Sequence, residues 1–391
     1  MHDVRKNAGL VLMFVVVLQL LYFVVMLKDP LSYISVCLLI CIVMVLVLYL
    51  LPDLSSSSSQ LHVKYEWICN VLPYLLISIA LFKIATRSEI YLSGLTGGLL
   101  SARKILEGRT GVNILASSVN VFLIPLWINL LVLRGCVARK HRSALVVAIG
   151  IVPLIGVLDL IFFGARVTLA YEMTILFIVG ILTLRVVAVA GVFFVVGFVF
   201  VHATRVATLY QLGAEYLTLT ASGRTLGGIH DLSSLGLADW WVGVAVFFQY
   251  IAHPVGELID LSQGTPFFQP SLVTIADQLA IVHVGNREAT SAMMAQINPG
   301  NGAYQTFFGV FLVDFGFIGY LVAVAAVSAT IAVAYVFGGQ FRRVLLLIVA
   351  TNVALAPIEN FFIIGAGLFN FILSLAIAVI LSITLDKRSA R

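Results

Sequence analysis

The stretch Leu31-Ser-Tyr-Ile-Ser-Val-Cys-Leu-Leu-Ile-Cys-Ile-Val-Met-Val-Leu-Val-Leu-Tyr-Leu-Leu51 contains no Asp, Glu, Lys or Arg. As a helix rising about 1.5 Å per residue it covers about 30 Å, the thickness of a bilayer's hydrocarbon core. In lipid a chain must satisfy its backbone polar groups internally, so an uninterrupted apolar run of this length reads as a membrane-spanning helix. Working outward, comparable runs lie near 8–27, 67–84, 112–133, 144–163, 168–184, 186–204, 306–337, 344–362 and 364–385. The expected fold class is therefore all-α, a polytopic membrane protein with about ten transmembrane helices.

Composition agrees. Of the 391 residues 61% are hydrophobic and 10% charged, against about 25% charged in a soluble domain. So few charges cannot solvate a globule of this size, which excludes a soluble enzyme, a disordered scaffold and a nucleic-acid-binding module. The net charge of +5 is read instead as the excess of Lys and Arg that membrane proteins keep in cytoplasmic loops. Cys37, Cys41, Cys69 and Cys136 show no paired metal spacing and read as apolar fillers without a structural disulfide.

The first run follows Arg5 and Lys6 and has no small-residue cleavage site before Lys28, so it is expected to be a retained anchor. With the N-terminus inside, the basic groups at Arg134–Arg142, Arg342–Arg343 and Lys387–Arg391 also fall inside, and both termini are expected to be cytoplasmic. Three parts follow: helices one to seven over 1–204, a large external loop over 205–305, and helices eight to ten over 306–391. Residues 85–111 are a second external segment, expected to lie along the interface because apolar and basic residues alternate there on a helical period. Within 205–305, Trp240 to Ile251 and Leu272 to Val284 read as short or re-entrant helices.

Ionisable groups inside membrane segments are costly, and each is a functional candidate. Asp159, Arg166 and Glu172 form the densest such group. Arg166 offers a planar fork of donors suited to a phosphate pair; equally, it could snorkel or bridge to Asp159 or Glu172. The net-acidic loop keeps few cations, which singles out Arg205, Arg224 and Arg287. Lys83, Arg87, Arg103, Lys104 and Arg109 sit on the outer side and ask for an anionic partner, lipid head groups or a substrate phosphate. His253, Glu257 and Asp260 would lie together if a helix starts at Pro254, offering a general base; a capped, solvated helix start is the plainer alternative. No motif supports metal, nucleotide or serine-hydrolase chemistry, and neither cofactor nor metal is expected.

Asn301-Gly-Ala-Tyr304-Gln-Thr306 followed by Asp314-Phe315-Gly316-Phe317-Ile318-Gly319 resembles the N-x-x-Y-x-T…D-F-G-x-x-G run of Wzy-type O-antigen and oligosaccharide repeat-unit polymerases. Tyr250-Ile-Ala-His-Pro254 is similar to the Y-I-x-x-P run that precedes it there, and Gly164-Ala165-Arg166 to their G-x-R element. His253 stands where small residues are common in that family, so the resemblance carries no role to it. The resemblance implies an inner-membrane glycosyltransferase moving a growing glycan from undecaprenyl pyrophosphate onto a second lipid-linked repeat unit at the periplasmic face. Arg166, then Arg287 and Arg205, then Arg224 would bind the pyrophosphate, and Glu257, Asp260 or His253 would serve the acceptor hydroxyl. A separate chain-length co-polymerase is a possible partner. A flippase or other transporter and an O-antigen ligase are the competing readings. Asp314, if its helix begins near Tyr304, lies deep enough for a structural rather than a sugar-binding role.

Overall fold

The computed structural model describes residues 4–27, 30–52, 66–97, 121–163, 166–186, 239–268, 270–274, 306–358 and 367–385, with isolated positions between 189 and 292. These residues are helical throughout their regular parts. The α-helices are α1 (Val4–Met26), α2 (Leu31–Leu50), α3 (Glu66–Gly97), α4 (Leu123–Leu133), α5 (Arg142–Phe163), α6 (Arg166–Ile178), α7 (Asp239–Gly264), α8 (Phe307–Phe315), α9 (Gly319–Val336), α10 (Gly339–Leu355) and α11 (Gly367–Leu385). Segments Val4–Val25, Leu31–Leu50, Trp67–Leu92, Arg139–Ile161 and Phe307–Val336 are long and apolar enough to cross a membrane.

The burial pattern of α2 shows what kind of surface this is. Cys37, Ile40, Cys41, Met44, Val47 and Leu48 recur on a helical period and are buried, while the other side presents Leu39, Ile42, Leu46 and Tyr49, the last 77% exposed. A soluble helix would carry polar residues on that outer side; here both sides are apolar, as lipid contact requires. At the centre stands α10, where every residue from Val344 to Leu355 is buried and which packs against α1, α2, α4, α6, α9 and α11. Its two central polar side chains donate within the helix, Thr351 to the Leu347 carbonyl at 2.8 Å and Asn352 to that of Ile348 at 2.8 Å.

One end of the bundle, the near face, collects backbone ends and cations. Arg5 donates to the carbonyl of Leu51. Asn7 and Arg134 donate to the carbonyls of Phe177 at 3.1 Å and Val179 at 3.1 Å, which close the C-terminal end of α6. These last carbonyls lack partners inside the helix, and a cation there also opposes the negative end of the helix dipole. Tyr335 at the end of α9 donates to the Leu50 carbonyl at 3.2 Å, which brings the start of α10 to the same face.

Three elements differ from the sequence reading. First, α3 does not stop near residue 84; it continues to Gly97, so residues 85–97 are not a separate interfacial segment, and 98–111 lie outside the described residues. Second, no helix starts at Pro254: α7 begins at Asp239 and passes through it. Pro254 weakens the hydrogen-bond ladder of the preceding turn, and Gln19 of α1, itself fully buried, donates to the Ile251 carbonyl there at 2.8 Å and to that of Pro357 at 3.0 Å. Within the expected loop 205–305, Ala252 to Leu258 of this helix is buried, and α7 packs on α1, α2 and α8.

Third, residues 306–337 are not one straight helix. Thr306 caps α8 by accepting from the Gly309 N–H at 3.2 Å. The chain then turns through a short 3₁₀ segment, Gly316–Ile318, and α9 folds back on α8. The rings of Phe308 and Tyr320 lie 5.7 Å apart, whereas a straight helix would separate them by about 18 Å. Gly316 takes φ 70° and ψ −156°, a combination open only to glycine. The run Asp314 to Gly319 is thus the corner of a helical hairpin, and α9 alone keeps 18 residues.

That corner is clasped by the segment after α7. Phe317 and Ile318 N–H groups donate to the carbonyls of Pro266 at 3.0 Å and Phe267 at 3.1 Å. The buried Asp314 carboxylate accepts from the Thr274 N–H at 2.9 Å and from its hydroxyl, and the Asp314 carbonyl accepts from the Ser271 N–H at 2.8 Å. Asp314 is therefore a structural residue, at a corner rather than far down a straight helix. Replacing it with Ala leaves the Thr274 donors buried without an acceptor, and a loss of about 2 kcal/mol is expected. Asp314→Asn keeps one acceptor oxygen and should lose less. Thermal unfolding of the two detergent-solubilised variants compares them directly, and equal midpoints would remove this role.

Candidate functional site

The ionisable groups of α3, α5 and α6 converge away from the near face. At about 1.5 Å per residue, Lys83 and Asp159 each lie about 25 Å along helices that both start near that face. Asp159 is buried, and its carboxylate is shared. Arg87 Nη1 lies 2.7 Å from Oδ1, the Tyr91 hydroxyl donates to the same oxygen at 2.7 Å, and Lys83 Nζ is 3.4 Å from Oδ2. The spacing Lys83, Arg87, Tyr91 is i, i+4, i+8, which places all three on one face of α3 towards α5. That explains why α3 can carry two cations this far: their counter-charge is built into the neighbouring helix.

The anionic partner that Lys83 and Arg87 call for is thus Asp159. Arg166 opens α6; its side chain, and with it the choice between a phosphate fork, snorkelling and a bridge to Asp159 or Glu172, lies outside what the structure describes. Arg103, Lys104, Arg109, Arg205, Arg224 and Arg287 also lie outside the described residues. The Arg87 side chain remains 28% exposed.

Glu172, six residues into α6, is 2% exposed, and its Oε2 has no hydrogen-bond partner. It is drawn electrostatically to Lys83 and repelled by Asp159. The carboxyl rests against α5 where Gly156 has no side chain; a Cβ there would overlap Glu172 Oε2 and come within 3.2 Å of Leu169 Cδ1. Gly156→Ala is expected to force the carboxyl out of this niche at a cost of about 1–3 kcal/mol. In a Glu172→Ala background most of the loss should disappear. A double-mutant cycle on thermal midpoints measures this, and an unchanged penalty in that background would show that the niche does not serve Glu172.

On α7, which runs through Pro254 rather than starting there, His253 Nε2 faces Glu257 Oε1 at 3.3 Å, one helical turn apart. Both are buried, which replaces the solvated helix start with an interior acid–base pair. The Asp260 side chain lies outside what is described. Among the described residues no three His, Cys, Asp or Glu gather as a metal site.

Two polar residues that organise the bundle escaped the sequence reading. Gln19 joins α1 to α7 and to the turn after α10, and accepts from Cys37 Sγ at 3.2 Å. Asn129 donates to the Ser374 carbonyl at 3.0 Å, while its own carbonyl accepts from Gln340 at 3.3 Å, tying α4 to α11 and α10. The available signal was an amide inside an otherwise apolar run.

Comparison with protein-family models, with curated proteins and with solved structures gives no match for this chain. The chain is a membrane protein whose described residues fold into helices.

Proposed function

We propose that this chain is an oligosaccharide repeat-unit polymerase of the O-antigen type, a metal-independent glycosyltransferase of the bacterial inner membrane. The observation that carries the reading is the gathering of cationic groups away from the near face. Arg87, partly open, stands beside Lys83, and α6, packed on the helix that holds them through Asp159, opens with Arg166. A reaction that expels a polyprenyl pyrophosphate builds negative charge on phosphate oxygens at the membrane surface. Fixed guanidinium forks stabilise that charge without a metal. Arg166 is the first candidate for this role, followed by Arg287, Arg205 and Arg224.

The acceptor hydroxyl needs a base within hydrogen-bond reach, for which Glu257, Asp260 and His253 are the candidates. Orientation draws support from the near face. Arg5, Arg134, Arg139, Lys140, Arg142, Arg342 and Arg343 lie at or beside it, and the positive-inside rule supports a cytoplasmic near face with the candidate site on the outer side.

The test is deletion of the gene followed by gel analysis of the surface polysaccharide. Loss of a polymerase leaves single repeat units on the lipid core, loss of a flippase leaves none, and loss of a ligase strands polymer on its carrier. An unaltered ladder would sink the polymerase reading. Arg166→Ala expressed in the deletion strain at normal protein level is expected to restore no polymer. A full ladder from that variant would remove Arg166 from the site.

A further inference from the structure

At the near face two thiols meet. Cys69 lies in the first turn of α3 and is buried, whereas Cys136 ends the 3₁₀ turn leaving α4 and is only partly buried. The two segments are fixed to each other beside the sulfurs: Asn70 Oδ1 accepts from the Ala138 N–H at 2.9 Å. The thiols share a hydrogen bond, and Arg343 of α10 is close enough to act on Cys136. Arg134, Arg139, Lys140 and Arg142 flank the turn in sequence. The hydrogen bond to Cys69 and, behind it, the charge of Arg343 outweigh burial and bring the Cys136 thiol down to about 7. Inert filler cysteines sit in apolar surroundings; reactive ones sit partly exposed among cations, often with a second thiol in reach.

We propose that Cys69 and Cys136 form a peroxide-reactive dithiol, with Cys136 attacking and Cys69 resolving. The Cys136 thiolate attacks the terminal oxygen of a hydroperoxide. An S–O bond forms, the O–O bond breaks, the sulfur is oxidised by two electrons, and the departing alkoxide or hydroxide takes a proton from water. The Cys69 sulfur then displaces oxygen from the sulfenic acid. The S–S bond forms, the S–O bond breaks, and water leaves with the Cys69 proton. The disulfide ties the start of α3 to the connection between α4 and α5. This chemistry does not depend on the glycan reading.

The experiment uses the full chain in membrane vesicles carrying Cys37→Ser and Cys41→Ser, so that only the two thiols remain. After peroxide, denaturation and reaction with a polyethylene-glycol maleimide, the gel shift for two labels should be lost and should return with dithiothreitol. The wild-type chain, with four cysteines, should fall from four labels to two, which covers the case in which the serine variants fold poorly. Adding Cys69→Ala should leave a sulfenic acid on Cys136 that dimedone captures. Adding Cys136→Ala should leave Cys69 fully reactive to maleimide after peroxide. The alkylation rate of Cys136 in the native vesicles should be half-maximal near pH 7. Two labels persisting after peroxide, or Cys69 oxidised without Cys136, would overturn the assignment.

Discussion

Asp159→Ala is expected to lower stability by about 3 kcal/mol, the low end of what removing one partner from a buried ion pair costs. The low end applies because Arg87 is 28% exposed and can turn towards water or lipid phosphate, while Lys83, at 13%, has less room. The loss has three parts: a stranded Lys83 cation, a loosened Arg87 and a Tyr91 hydroxyl without its acceptor. Tyr91→Phe isolates the last part and should cost about 1 kcal/mol. Lys83→Met in the Asp159→Ala chain removes the stranded charge and should recover part of the loss, because an apolar side chain replaces an uncompensated ion. Thermal midpoints of the purified chains in one detergent give the comparison. If Asp159→Ala alone unfolds at the wild-type temperature, the cluster does not hold α3 to α5.

The same cluster shows how far the sequence could be read. Asp159 and Glu172 stand out in apolar runs, so their importance was visible at once. Their partners were not. Arg166 is close in sequence, whereas Arg87 is separated from Asp159 by 72 positions, and only packing brings α3 against α5. Without that pairing Lys83 and Arg87 read as outer-side cations that ask for lipid head groups or a substrate phosphate. The helix at Pro254 failed for a related reason. A proline is a local argument for a helix start, but in lipid a neighbouring helix can satisfy the weakened turn, and Gln19 does so from more than two hundred residues away.

Apolarity places segments well and says little about their path. Residues 306–337 are apolar enough to read as one span, and hydropathy has no term for a reversal of direction. The information lies in the glycines of Asp314-Phe-Gly-Phe-Ile-Gly319, whose spacing carries both the family resemblance and the turn chemistry. The Asp-Phe-Gly-x-x-Gly spacing has a physical account in this chain: a carboxylate that holds the clasping segment, a glycine at positive φ, and a glycine at the helix contact.

That last glycine leads to the second large effect. Gly319→Ala is expected to destabilise the chain by about 3 kcal/mol or to rearrange the hairpin, at the upper end of what overpacking costs. A Cβ at this position would overlap the Phe311 carbonyl and stand 2.8 Å from the Leu312 nitrogen. These are backbone atoms within a helix, so no side chain can swing aside to relieve the overlap. Either α8 and α9 separate or the corner shifts, and the corner is held by the Pro266 and Phe267 carbonyls and by Asp314. Separation would also part Phe308 from Tyr320 and pull on the 3.0 Å contact between the Tyr320 and Ser262 hydroxyls, which links α9 to α7. Ala is otherwise a better helix former than Gly by about 1 kcal/mol, so on a straight, open helix the same substitution would stabilise. The sign of the change therefore separates a hairpin from a continuous span. A lowered thermal midpoint, with faster proteolysis between α7 and α8, is the expected result; a raised midpoint would mean that α9 does not fold back on α8.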